Sequence, residues 1–134
     1  MIIRTTLGTA LAQAVLDDIK TGTAGNAKMQ LYTGTRPTAL GGAITDDLLA
    51  EFDLGSTVGT VSNGVLTLSG WTNEDAAPNG GAPGWARILD EDGDEVIYLT
   101  ASASGGGGQV IVNTASIVSG SPVDLTSAAI RMPV

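Results

Sequence analysis

Apolar and polar positions divide the chain into one helical segment followed by short strands. Residues 5–20, TTLGTALAQAVLDDIK, place Leu7, Leu11, Val15 and Ile19 at four-residue spacing, with Ala14 and Leu16 widening the stripe. Thr5 or Thr6 suits the N-cap, and Lys20 and Gly22 suit the end. The stripe is expected to be buried against an open end of the β structure. An arm docked on a neighbouring subunit is the alternative. After the turn GTAGNA, Met29, Leu31 and Thr33 alternate with Lys28, Gln30 and Tyr32, the pattern of a half-buried strand. Pro37 ends it and opens a surface loop. Further strands are expected at 48–54, on both sides of Asn63-Gly64, on both sides of Asp92-Gly93, at QVIVNT (109–114) and at 123–132, with 70–84 and the tetraglycine as loops.

The segment GWARILDEDGDEVIYLT (84–100) is the strongest hairpin signal, because a type I′ turn at Asp92-Gly93 needs positive φ at both central residues. Counting outward pairs Leu89 with Val96, Ile88 with Ile97, Arg87 with Tyr98 and Ala86 with Leu99. One face is then aliphatic (Ala86, Ile88, Ile97, Leu99) and is assigned to the core. The other carries Trp85, Arg87, Leu89, Val96 and Tyr98, residue types that include those enriched at interface hot spots. That face is the candidate interface, with Arg87 stacked on Tyr98 or Trp85. A second sheet covering it is the competing reading. Together these elements predict one all-β domain over 1–134: a jelly-roll-like β-sandwich of about eight strands (28–132), preceded by one short α-helix (5–20).

Composition narrows the chemistry. Among 134 residues there is no Cys and no His, while Gly numbers 19. Disulfides, thiolates and the commonest metal ligand and general base are thereby excluded. Net charge is −8, and the six bases (Arg4, Lys20, Lys28, Arg36, Arg87, Arg131) are scattered singly, which argues against nucleic acid as partner. No apolar run has the character of a secretory h-region or the length of a membrane span, so synthesis in a cytoplasm is expected. DEDGDE (90–95) fails the EF-hand count: with Gly93 at position 6, position 1 is Ile88 and position 12 is Leu99. It reads as a solvated hairpin tip. The tetraglycine at 105–108 lacks the Lys and Ser/Thr of a phosphate loop. Converging carboxylates could serve glycoside hydrolysis, and Trp71, Trp85 and Tyr32 could form a sugar platform, but core or interface roles explain these residues more simply. No catalytic residue, metal or cofactor is expected.

Several segments together resemble a family of small structural proteins of tailed bacteriophages. They are the LxxALAQAxLD-type helix (Leu7, Ala10 to Asp17), LYTGTRP (Leu31 to Pro37), LLAEF (Leu48 to Phe52), the W-x-R-I-L-D-x-D-G hairpin (Trp85 to Gly93) and a C-terminal segment from Ile117 to Ile130. The resemblance implies a virion component, most simply a capsid decoration (cement) protein on the outside of a phage head. Its implied partners are itself, as a homo-oligomer expected to be a trimer, and the major capsid protein. A tail or neck structural protein is the alternative within that class. A carbohydrate-binding module is the rival from another.

Overall fold

The computed structural model describes residues 1–134. Helix α1 (Thr5–Ile19) precedes eight strands: β1 (Lys28–Tyr32), β2 (Leu48–Asp53), β3 (Gly59–Ser62), β4 (Val65–Leu68), β5 (Trp85–Leu89), β6 (Glu95–Ala103), β7 (Val110–Val112) and β8 (Leu125–Arg131). They form one sheet in the order β2-β1-β5-β6-β7-β8-β4-β3. The protein is thus all-β with a single N-terminal helix. Where two stacked sheets of a jelly-roll sandwich were expected, there is one continuous mixed sheet. A short connection explains why that sheet curls. β2 and β3 are its two edges, yet only residues 54–58 join them. Six Cα steps reach about 22 Å at most, whereas the outer strands of a flat eight-stranded sheet lie about 33 Å apart. The sheet must roll until its edges approach.

Inside the roll, Met29, Leu31, Phe52, Ala86, Ile88, Leu99, Val110, Leu125, Ile130 and Leu66 belong to one buried cluster. The 70–84 segment ties distant parts of the roll together. Thr72 bridges to Asp53, Glu74 to Val123 and Gly81 to Ile117.

α1 packs on the C-terminal part of the expected stripe, Leu16 and Ile19, but its N-terminal half turns a different face inward. Gly8, Ala12, Leu16 and Ile19 are buried, Val15 is half-buried, and Leu7 and Leu11 remain 47% and 43% exposed. The cause is close approach. A Cβ on Gly8 would lie 2.2 Å from Val134 Cγ1 and 3.5 Å from the Gly64 Cα. Small residues therefore face the β3–β4 turn, where the Gly64 N–H donates to Thr9 Oγ1 at 3.0 Å. That turn has the expected type I′ character, with φ of 50° at Asn63 and 79° at Gly64. Neither expected threonine caps the helix. Arg4 holds the N-cap position without a side-chain bond.

All neighbouring strands run antiparallel except β6 and β7, paired in parallel with Ala101 opposite Val110. Parallel neighbours usually need a long crossover, but here residues 104–109 suffice. The tetraglycine makes this possible. A Cβ on Gly106 would meet the Ser102 side chain at 2.6 Å, and one on Gly108 would meet the Ser102 amide nitrogen at 2.7 Å.

Candidate functional site

The β5–β6 hairpin keeps most of its expected register: Ala86 opposes Leu99, Arg87 opposes Tyr98, and Ile88 opposes Ile97. Its tip differs. Only Gly93 has positive φ (88°), the Gly93 N–H donates to the Asp90 carbonyl at 3.1 Å, and the Asp90 N–H donates to the Asp94 carbonyl. The loop is therefore three residues long (Glu91, Asp92, Gly93), a type I turn followed by a left-handed glycine. One extra residue in β6 reconciles this loop with the register below it. Leu89 pairs with Glu95 instead of Val96, and the ladder shifts between Ile88 and Leu89.

This bulge changes which side chains share a face. Val96 joins the core side, packed against the main cluster, and Ile97 lies there half-buried. Glu95 takes the outer face beside Arg87 and Tyr98. The Arg87 Nη1 donates to Glu95 Oε2 at 2.8 Å, and the Tyr98 hydroxyl donates to the same oxygen. Arg87 Nε donates to Gln30 Oε1 at 2.8 Å, and Gln30 Nε2 donates to Glu51 Oε2 at 2.8 Å. A polar ladder thus crosses four strands, Glu51–Gln30–Arg87–Glu95. Beside it lies an aromatic cluster. Tyr32 and Trp85 stack at 4.7 Å, and Tyr98 tilts against Trp85 at 5.0 Å. Arg87 sits 5.7 Å from the centroid of Tyr32, rather than on Trp85 or Tyr98 as expected.

Neither a second sheet nor open solvent covers this face. Residues 34–46, between β1 and β2, fold over it as a strap. Their neck is closed by the Thr33 N–H donating to the Asp47 carbonyl and the Asp47 N–H donating to Thr33 Oγ1. Ile44 and Leu48 pack on the rings. The Trp85 indole N–H donates to Asp46 Oδ2 at 2.9 Å, and the Gly41 N–H donates to Glu95 Oε1 at 2.9 Å. Trp85 is completely buried, Tyr32 and Tyr98 nearly so, while Arg87 and Leu89 are half-buried.

Of the five candidate residues, then, Trp85, Arg87 and Tyr98 form one covered cluster, Leu89 flanks it, and Val96 lies on the other side. Glu95, Gln30 and Asp46 complete the site. The alternation around Gly93 concealed Glu95, because an even two-residue turn would have sent it to the core face.

Electrostatics follow from these bonds. Tyr98's hydroxyl, then Arg87 and the Gly41 N–H, hold the Glu95 carboxyl below its ordinary range despite partial desolvation. Burial, then the neighbouring Glu95, pushes the Tyr98 phenol up. Burial also raises Tyr32.

The other expected sites map differently. At the hairpin tip, Asp90 Oδ1 accepts the Asp92 and Asp94 N–H groups, and Asp92 Oδ1 accepts the Thr23 N–H. These acids organise their own turn and its contact with the helix–β1 loop. Trp71 packs against the main core, apart from Tyr32 and Trp85, whose faces are occupied by each other. The three do not make a common platform.

A second surface remains unpartnered. Leu11, Ala14, Val15, Asp18, Val96, Ile97 and Met132 line an open, mostly apolar groove of about 510 Å³ along α1. From Thr5 to Leu16 the helix carries no charged residue, in a chain of net charge −8. No family model, curated protein or solved structure matches this chain.

Proposed function

We propose that the chain is a structural virion protein, a capsid decoration protein that binds the outside of a phage head as a homo-oligomer, expected to be a trimer. The observation that carries this reading is the mostly apolar face of α1, where Leu7 and Leu11 are exposed beside a groove whose one charged lining residue is Asp18. Acidic copies repel one another over most of their surface. A face with a single carboxylate at its edge is where two copies can approach while burying apolar area. Support for the virion class comes from the sequence resemblance. Two of the segments that carry it, Leu31–Pro37 and Trp85–Gly93, meet in the strapped cluster and supply Tyr32, Trp85 and Arg87.

Light scattering tests the assembly. The reading expects a mass close to three times the chain's 13.4 kDa. Leu7→Glu with Leu11→Glu should yield a folded monomer, because both positions are exposed within one copy. The wild type should also co-sediment with phage heads lacking their decoration protein. A monomeric wild type that stays in the supernatant would remove the reading.

A further inference from the structure

The strap of residues 34–46 has no helix or strand of its own. Between its neck and its far end, one backbone N–H, that of Gly41, is bonded to the body of the protein, and the acceptor is Glu95. The second polar tie is Asp46 accepting the Trp85 indole N–H. Apart from Ile44 and the partly sheltered Pro37 and Asp46, its side chains face solvent. Beneath it, β1, β5 and β6 are joined by ladders, regular between β1 and β5 and bulged once between β5 and β6, that owe nothing to the strap.

We propose that the strap is a carboxylate-latched cover, which opens as a unit when Glu95 loses its charge and bares Tyr32, Trp85 and Tyr98 while the sheet stays folded. The groups facing Glu95 set its direction of response. From β5 comes Arg87, from β6 Tyr98, from β1 Tyr32 at longer range through Arg87, and from the strap the Gly41 N–H. Arg36 of the strap lines the small groove beside Tyr98. Lys28 is engaged with Asp53 at 3.0 Å and Glu51 with Gln30, so neither competes. Each of these bonds to Glu95 favours its ionised form. A carboxyl whose pKa is depressed in the closed state favours closure above its free value, about 4.3, and that preference is lost as pH falls through the depressed value. Ionisation of Tyr98 at high pH would place two negative charges together and strain the same latch. This cover is independent of the proposed assembly through α1.

Hydrogen exchange of the Trp85 indole N–H, whose acceptor is the strap's Asp46, reads the opening of the strap, in a Trp71→Phe background so that one indole remains. Glu95→Gln at neutral pH should accelerate that exchange about tenfold or more, as expected for local opening, and should increase acrylamide quenching of Trp85. The far-UV spectrum should be unchanged. Asp53→Asn, which removes a carboxylate of the same sheet face away from the strap, should leave the exchange as in wild type. In wild type, acidification should release the indole before the sheet signal falls. This acid response should be reduced in Glu95→Gln, which keeps the Asp46 carboxylate that accepts the indole N–H. An equal acid response in the two proteins would assign it to Asp46 and overturn the Glu95 latch. Indole exchange that accelerates only together with loss of the sheet spectrum, or equally in the Asp53→Asn control, would overturn the proposal.

Discussion

At the scale of single residues, Trp85 and Glu95 carry the outer face of the hairpin in different ways. Trp85 is wholly buried between two tyrosines and gives its only polar atom to Asp46. Trp85→Ala should therefore lower stability by about 3–5 kcal/mol, measured by denaturant unfolding. A loss below about 1 kcal/mol would mean that the cluster collapses around the gap without penalty. Tyr98→Phe keeps the ring and removes one donor to Glu95, so it should cost about 1 kcal/mol. It should also let the Glu95 carboxyl titrate nearer to its ordinary range, visible by carbon NMR. The pH sign follows from the depressed Glu95 value. Its contribution is complete above about pH 4.3 and disappears as pH falls through the folded value. The acid limb of a stability–pH curve should flatten in Glu95→Gln.

At the scale of elements, the helix and the hairpin show how far periodicity reaches. Strand positions and most pairs within the two hairpins were legible, because alternation and turn residues such as Asn63-Gly64 act over a few residues. The pairings between strands distant in sequence were not. The helix was legible as an element but not in its rotation. Hydrophobicity favoured Leu7 and Leu11, whereas close approach to the Gly64 turn favoured Gly8 and Ala12. The strap was legible only as a loop, since its cover role depends on Glu95 reaching the outer face through a bulge fifty residues away. Opposite substitutions check the rotation. Leu11→Asp should change monomer stability by less than about 1 kcal/mol. Ala12→Asp, placing a charge at a fully buried site, should cost several kcal/mol. A reversal of that order, measured by urea denaturation, would restore the leucine stripe as the packed face. In the β6–β7 connection, Gly108→Ala should destabilise, because its Cβ meets backbone atoms at 2.7–2.8 Å. Thermal melting would show this as a lower midpoint.

At the scale of the whole molecule, one strand decides when the roll is finished. β8 lies between β7 and β4, so it joins the half containing the hairpin and strap to the half containing α1 and the β3–β4 turn. β1, β2, β5 and β6 can pair with one another before it arrives, but β4 has no partner other than β3 until β8 is in place. Folding should therefore be limited by a late insertion between two waiting strands, on the millisecond-to-second scale of chains dominated by distant pairings. Ile130→Ala, in β8 opposite Leu66, should mainly speed unfolding, whereas Ile88→Ala in the hairpin should mainly slow refolding. Until β8 inserts, the facing edges of β7 and β4 are open to strands of other chains. Newly made protein is thus most prone to aggregate just before its last strand docks.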